Sequence, residues 1–335
     1  MSQAVNLRQT AEMLHKNDDF VIICHASPDG DTLGCAYALC GAMQKLGKRA
    51  RVIEPERASA RFDYLRSGIE VQEFDEGFIV TVDTADAALL GIYEERFKNS
   101  TDLCIDHHIS NTGYAKHLML DSKAASASEV VYEVIKELEE LSGKAIINAD
   151  IAACLYTGIS TDTGCFRFGN TNADAHRRTA ELIEHGFDLA GLNYLLFEMR
   201  TQERIELERK AMMSVEYYFG GKCAMITLTK DMLDNADDED VNAISSLARQ
   251  IHGVEAGVTF KEKENGVWKI SVRTKNYINA QLICAAFGGG GHKKAAGCRI
   301  TGDVGECKRK LLKEIEKHIS ISANAGIDDG RHNLH

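Results

Sequence analysis

The first 190 residues alternate short apolar runs with segments of helical spacing. Residues 20–24, 78–82 and 103–105 have the length and the aliphatic character of buried strands. Residues 32–46 and 129–141 repeat apolar positions every three or four residues, which is typical of helices packed on one face. Strands that alternate with helices form βαβ units. The pattern therefore predicts an α/β fold with a mostly parallel sheet flanked by helices.

The pattern changes near residue 191, and the chain, with 335 residues, is longer than one compact core usually is. A charged stretch of helical spacing is followed by a second α/β pattern with a glycine run. We predict a first domain at 1–190, a connecting helix at 191–216, a smaller C-terminal α/β domain at 217–319 and a tail at 320–335.

The charge balance limits the classes of partner. The formal net charge is −11, whereas proteins that bind long nucleic acid usually carry a broad basic face. No apolar run has the length of a membrane span, and no secretion signal is recognisable. The ten cysteines include no C-x-x-C pair, and several lie within apolar runs. We therefore expect a cytoplasmic protein with reduced thiols that binds neither membranes nor long nucleic acid.

Carboxylate and imidazole side chains follow three of the strand candidates. In an open parallel sheet, ligands bind outside the carboxyl ends of the strands, so these side chains are expected to meet at one edge. They are, in chain order, His25, Asp29, Asp31, Asp83, Asp106, His107 and His108.

This set of donors fits divalent cations. Carboxylates are the oxygen ligands of Mg²⁺ and Mn²⁺, and imidazole adds a preference for transition metals, which favours two Mn²⁺ ions, with Mg²⁺ or Co²⁺ as alternatives. A single aspartate at the end of a strand is more often a helix cap or a turn residue. Three such groups after three strands favour a two-metal site, a device of phosphoryl hydrolysis.

Four ordered motifs, together with a glycine motif in the second half, resemble those of the DHH phosphoesterases. The four motifs are HASPDGDTLG, VTVDTAD, IDHHISN and STDTGCF, and the glycine motif is FGGGGHKKAAG. The resemblance covers nearly the whole chain. It implies that 1–190 is the DHH catalytic domain and that 217–319 is the DHH-associated substrate-binding domain. A homodimer is compatible with the resemblance.

The resemblance also implies a role for each matching residue. One metal would be held by His25, Asp29 and Asp83. A second would be held by Asp31, Asp83, His107 and Asp162, so that Asp83 bridges the two. Asp106 would orient its neighbours, and His108 would donate to the scissile phosphate.

The substrate-binding candidates lie in the second half. The glycine run is typical of a backbone amide cradle for phosphate, with His292 as a further donor. Arg273, at the end of a strand candidate, could bind phosphate through its guanidinium or could be a solvated strand end. The predicted substrate-binding residues are Arg273, Gly289, Gly290, Gly291 and His292.

The expected function is two-metal hydrolysis of short oligoribonucleotides to nucleoside 5'-monophosphates. A phosphatase activity on 3'-phosphoadenosine 5'-phosphate would use the same site. The alternatives are a phosphodiesterase for cyclic dinucleotides or linear dinucleotides of the pApA type, and a non-catalytic nucleotide-binding sensor. Loss of a metal ligand would mark a sensor, and all six ligand positions keep a carboxylate or an imidazole.

Overall fold

The computed structural model describes residues 2–234 and 238–324, and it divides into two units between Met199 and Arg200. Each unit has its own hydrophobic core. Within the described ranges, none of the helices combines the length and the apolar composition that crossing a membrane requires.

The first unit is built on a six-stranded sheet in which every pair of neighbouring strands is parallel. The spatial order is β1-β6-β5-β4-β2-β3. The central strands are buried on both faces, which explains why their sequences are continuous apolar runs. The strands are β1 (Gln3–Ala4), β2 (Phe20–Ile23), β3 (Ala50–Ile53), β4 (Phe78–Val82), β5 (Leu103–Asp106) and β6 (His117–Leu120).

Helices cover this sheet, which confirms the predicted α/β class. Short 3-10 segments at Ala60–Arg66 and Ala87–Tyr93 supplement them. The α-helices are α1 (Leu7–Lys16), α2 (Gly30–Lys45), α3 (Glu94–Phe97), α4 (Ala127–Ser142), α5 (Ala149–Asp162), α6 (Ala173–Ile183) and α7 (Leu189–Asn193).

The second unit contains a mixed six-stranded sheet in the order β11-β12-β10-β9-β8-β7. Among the described strands of this sheet, β8 and β9 form the only parallel pair. The strands are β7 (Glu216–Tyr218), β8 (Cys223–Leu228), β9 (Ala256–Glu262), β10 (Val267–Thr274), β11 (Gly290–His292) and β12 (Ala295–Thr301). The helices are α8 (Gln202–Met213), α9 (Lys230–Leu233), α10 (Asp238–Ile244), α11 (Leu247–Gln250), α12 (Ala280–Ala285) and α13 (Val304–Asn324).

The segment 191–216, expected as one connecting helix, is instead divided at residues 199–201. A π-helical stretch ends at Glu198, and Met199 adopts an extended conformation. Thr201 then caps α8, since its side chain accepts a hydrogen bond from the amide of Arg204. A new helix therefore begins after Thr201. The spacing of apolar residues does not reveal such a cap, so it did not predict the break.

The last helix continues to Asn324 and so includes the first five residues of the expected tail, 320–324. The rest of that tail, residues 325–335, lies outside the described residues.

Close contact between α2 and α5 depends on a glycine. A Cβ atom built on Gly34 would lie 2.4 Å from the carbonyl oxygen of Cys154 in α5. At Gly41, seven residues further along α2, the nearest atoms are side-chain carbons of Ile151 and Ile69 at 3.2 and 3.3 Å. Only the first position therefore brings the two helix backbones together.

We expect Gly34→Ala to destabilise the first unit more than Gly41→Ala does. Both changes gain up to about 1 kcal/mol of helix propensity, so their difference isolates the collision with the backbone of α5. Overpacking of this kind typically costs about 1–3 kcal/mol. Urea unfolding of the two variants measures the difference, and equal stabilities would show that α2 and α5 are not in close backbone contact.

Candidate metal centre

The loop after β2 leads into α2, and two carboxylates lie at this junction. Asp29 is the N-cap of α2, and its Oδ1 accepts hydrogen bonds from the amides of Asp31 and Thr32 at 3.0 and 3.2 Å. Its side chain remains 63% exposed. The cap fixes this carboxylate while leaving its other oxygen available.

Asp31 is buried and is held by the first amides of α4. The amide of Ala127 donates to Asp31 Oδ2 at 2.7 Å, and the amide of Ser128 donates to Oδ1 at 2.9 Å. A helix N-terminus favours negative charge. Burial nevertheless raises the pKa of Asp31 above its usual value, and the charge of Asp29 adds to that effect.

His25 presents one ring nitrogen as a free acceptor. Its Nδ1 lies 2.7 Å from the carbonyl oxygen of Ala26, and because a carbonyl only accepts, Nδ1 carries the proton. The lone pair on Nε2 is then available for a cation. Nε2 lies 3.7 Å from Asp29 Oδ1 and 3.7 Å from Asp83 Oδ2.

His107 repeats this arrangement at the end of β5, which is separated from β2 by β4 in the sheet. Its Nδ1 lies 3.3 Å from the carbonyl oxygen of Ala124. Its Nε2 lies 3.6 Å from Asp83 Oδ1 and 3.8 Å from Asp162 Oδ2. Asp162 ends α5, so this pair joins the end of a helix to the end of a strand.

Asp83 lies at the centre of the cluster and is 4% exposed. Its Oδ1 is buried and has no hydrogen-bond partner in the described part of the chain. Burial raises the pKa of Asp83 well above its usual value, and the surrounding carboxylates raise it further; they are Asp31, Asp29, Asp106 and Asp162. For the same reasons the pKa of Asp162 rises to about 7. An unpaired oxygen among like charges is unfavourable unless a cation compensates it.

Possible ligand atoms lie within 4.8 Å of one another in three groups. Each group combines carboxylate and imidazole, the donor types that suit a divalent transition metal. Asp83 belongs to two of them, and so does His107. The groups are His25 with Asp29 and Asp83, Asp31 with His107 and Asp162, and Asp83 with His107 and His108. The first two together use all six residues that the sequence predicts as metal ligands, so the residues fit two divalent cations.

His108 has a different environment from His107. Its Nδ1 lies 2.9 Å from Asp106 Oδ1, and this hydrogen bond raises the pKa of His108. Asp106 is buried, and Asn111 donates to its Oδ2 at 2.7 Å. The His108 side chain is 46% exposed. Asp106 thus holds the ring through Nδ1, which leaves Nε2 for another partner.

The second unit contains a cavity of about 410 Å³ beside the glycine run. Among the predicted substrate-binding residues, Gly289 lines it. Gly290, Gly291 and His292 form the edge strand β11, and Arg273 lies on β10 with its guanidinium donating to the Val272 carbonyl at 3.2 Å. The lining residues are Lys269, Ile270, Ser271, Phe287, Gly288, Gly289, Gly297, Cys298 and Arg299.

Close backbone contacts within the second unit explain why glycine occurs at two positions of this run. A Cβ on Gly289 would lie 2.2 Å from the carbonyl oxygen of Gly297, and a Cβ on Gly291 would lie 2.6 Å from that of Ala295. The amide of Gly289 donates to the Cys284 carbonyl at 2.9 Å. That amide therefore already has a partner within the unit.

Several residues that shape these sites were not predicted from the sequence. The buried Glu129 pairs with Arg178 and accepts from the amide of Ala125 at 2.8 Å, which fixes the loop before α4. The Ser126-x-x-Glu129 spacing before an apolar run is a helix-start signal that could have drawn attention to this loop. Lys269 and Arg299 belong to no sequence motif. They lie far apart in the sequence, and the pairing of β10 with β12 brings them together.

Two family models match the chain. Residues 19–159 match the DHH family, N-terminal domain, and residues 223–320 match the DHHA1 domain. The first match contains five of the six predicted ligands, and the second contains the cavity described above. Asp162 lies three residues beyond the first match.

Individual relatives match over most of the chain. A Thermus thermophilus protein named bifunctional oligoribonuclease and PAP phosphatase NrnA is 31% identical over 94% of each chain. A Bacillus subtilis protein of the same name is 26% identical over 84% of this chain and 90% of the relative. The crystal structure of an exopolyphosphatase-related protein from Bacteroides fragilis covers 94% of this chain and 96% of its own, with 22% identity and a TM-score of 0.83. That last likeness shows the fold.

We expect Asp83→Asn to have opposite effects with and without metal. In a chelating buffer the variant should melt higher than the wild type, because a buried charge among carboxylates is removed. With Mn²⁺ at about a hundred times its dissociation constant, the wild type should gain about 2.7 kcal/mol and the variant far less. Thermal melts in EDTA and in MnCl₂ measure both effects.

Asp86→Asn is the matched control, since Asp86 follows the same strand but caps the next 3-10 segment. It should leave the Mn²⁺-induced stabilisation unchanged. Equal stabilisation of the wild type and Asp83→Asn by Mn²⁺ would remove Asp83 from the metal centre.

Proposed function

Because this chain belongs to the DHH family, we propose that it is a metal-dependent phosphoesterase that hydrolyses short oligoribonucleotides to nucleoside 5'-monophosphates. The observation that carries the proposal is Asp83, whose buried Oδ1 has no hydrogen-bond partner among the described residues and which belongs to two groups of potential metal ligands. The relatives from Thermus thermophilus and Bacillus subtilis, both named oligoribonucleases, support the substrate class.

A second activity, removal of the 3'-phosphate from 3'-phosphoadenosine 5'-phosphate, is proposed for the same site. The names of both relatives join an oligoribonuclease with a PAP phosphatase. Both reactions attack a phosphorus that carries a ribose 3'-oxygen, so one metal centre serves both.

Two Mn²⁺ ions are the proposed cofactors, with Mg²⁺ or Co²⁺ as alternatives. His25, Asp29 and Asp83 would hold one ion, and Asp31, Asp83, His107 and Asp162 would hold the other. When bound, such a pair lowers the pKa of water toward neutrality and offsets negative charge on the phosphate oxygens. The tautomers support this assignment, since both His25 and His107 donate from Nδ1 to a carbonyl and present Nε2 to the carboxylates.

His108 is proposed to donate from Nε2 to a non-bridging oxygen of the scissile phosphate. Asp106 keeps the ring in place by accepting from Nδ1, and Asn111 in turn fixes Asp106. A donor that is oriented before the substrate arrives stabilises the charge that develops in the transition state.

The second unit is proposed to bind the substrate. Arg273, Gly289, Gly290, Gly291 and His292 remain the candidates from the sequence. Lys269 and Arg299 add two cations at the wall of the cavity, and a row of cations suits the phosphates of a short oligonucleotide.

The substrate test compares wild-type protein with Asp83→Ala in MnCl₂. The substrates are a 5'-labelled RNA series from dimer to pentamer, a long RNA, 3'-phosphoadenosine 5'-phosphate and a cyclic dinucleotide. We expect mononucleotides from the short RNAs, inorganic phosphate from the monoester, little product from the long RNA, and none from Asp83→Ala. Release is followed by gel electrophoresis and by a phosphate assay.

Other outcomes would change the proposal in defined ways. Turnover of only the cyclic substrate would identify a cyclic dinucleotide phosphodiesterase. Full activity of Asp83→Ala would contradict the proposed metal centre. Tight binding of Mn²⁺ without turnover of any substrate would identify a nucleotide-binding sensor.

A further prediction separates a donor from a metal ligand at the two adjacent histidines. His108→Gln should lower kcat by about 10²–10³, the usual loss for one donor to the transition state, while Mn²⁺ still stabilises the protein fully. His107→Gln should lower kcat and should also lose the stabilisation by Mn²⁺. Steady-state kinetics and melts in MnCl₂ make the comparison, and loss of metal stabilisation in His108→Gln would assign His108 to the metal instead.

A further inference from the structure

The turn that follows Asp162 folds back onto that residue. The side-chain amide of Asn170 donates to the Asp162 carbonyl at 3.1 Å and lies 3.4 Å from Asp162 Oδ2. The amides of Arg167 and Phe168 both donate to the Thr163 carbonyl, at 2.9 and 3.0 Å. The turn is therefore closed at both ends and lies at the edge of the metal centre.

The Phe168 ring lies against the backbone of Gly164. A Cβ atom on Gly164 would be 2.3–2.6 Å from three carbons of this ring, so only glycine leaves room for it. Gly164 also has a φ of +58°, which favours glycine independently. The other side of the ring is open, since Phe168 is 54% exposed.

Arg167 is anchored to the same glycine. Its Nε donates to the Gly164 carbonyl at 2.6 Å. Within the described ranges, no carboxylate lies within ion-pair distance of its guanidinium, whereas the neighbouring Arg177 and Arg178 both pair with acids. The terminal nitrogens of Arg167 therefore remain available to an anion.

We propose that Arg167 and Phe168 form a nucleotide subsite, in which the ring stacks on a base and the guanidinium binds a phosphate. The proposal rests on the function proposed above and specifies which part of the chain recognises the nucleoside next to the metal centre. Exposed apolar side chains are common singly. What distinguishes this one is an unpaired cation fixed to the same glycine, because a nucleotide presents a flat apolar base and an anion a few ångströms apart.

Stacking of this kind tolerates every base, since every base has an aromatic face. A subsite built on it would therefore distinguish nucleotides from other phosphate esters without selecting a sequence.

The experiment measures binding and does not require turnover. Adenosine 5'-monophosphate and ribose 5-phosphate are titrated into the full chain with Mn²⁺ by calorimetry. The wild type should bind the nucleotide at least about 10-fold more tightly, as one stacked base contributes. Phe168→Leu should reduce this ratio toward one, and Phe168→Tyr should retain it. Arg167→Gln should weaken both ligands by a similar factor.

Tyr194→Leu is the matched control, because Tyr194 is an aromatic residue of similar exposure, 56%, on another segment of the same unit. It should leave both affinities unchanged. Circular dichroism and melting temperature verify that each variant is folded. A ratio that Phe168→Leu leaves intact, or equal binding of the two ligands by the wild type, would overturn the subsite.

Turnover of short RNA separates the two proposals. If the wild type cleaves short RNA and the affinity ratio does not depend on Phe168, the subsite is wrong and the proposed function stands. If the wild type cleaves none of the short RNAs but the ratio depends on Phe168, the subsite stands and the proposed substrate is wrong.

Discussion

Repulsion among buried carboxylates is the constraint on which the first unit depends. Asp83 lies among Asp31, Asp29, Asp106 and Asp162, and these neighbours raise its pKa. In the described part of the chain, the fold offsets this repulsion without an ion pair from a lysine or an arginine to any of these carboxylates. It supplies partial charges instead: the first amides of α4 hold Asp31, and those of α2 hold Asp29. Partial charges fix the geometry of each carboxylate but leave a net negative cluster, which is what a pair of divalent cations requires.

Close helix packing holds this cluster together, and small residues permit it. A Cβ on Gly158 of α5 would lie 1.8 Å from Ser128 Oγ and 2.6 Å from Asp31 Oδ1, and one on Gly30 would lie 2.5 Å from Thr161 Oγ1. These glycines bring the start of α2, the start of α4 and the end of α5 to one point. The candidate metal centre is therefore assembled by helix termini as much as by strand ends.

The sequence predicts the potential ligands that follow strands, but not Asp162, which ends a helix. His25, Asp83 and His107 follow apolar runs, so the edge rule for parallel sheets groups them. Asp162 ends a helix, and helix periodicity alone gives no reason to place it beside a strand, so its placement needed the family resemblance. The salt bridge between Glu129 and Arg178 joins residues 49 positions apart, and no local pattern encodes such a pairing. The division of the segment 191–216 was missed because a cap at Thr201 interrupts a continuous periodicity.

The net negative charge of the chain is compatible with the proposed anionic substrate because positive charge is concentrated at one cavity of the second unit. Lys269 of β10 lies opposite Arg299 of β12 in the antiparallel register, and both line the cavity of the second unit. Such a pair can meet only a few phosphates, and the salt dependence of binding grows with the number of phosphates neutralised. A chain with a net charge of −11 repels the remainder of a long polyanion. The charge distribution is therefore consistent with the proposed preference for short oligonucleotides, before any limit that the size of a cleft would set.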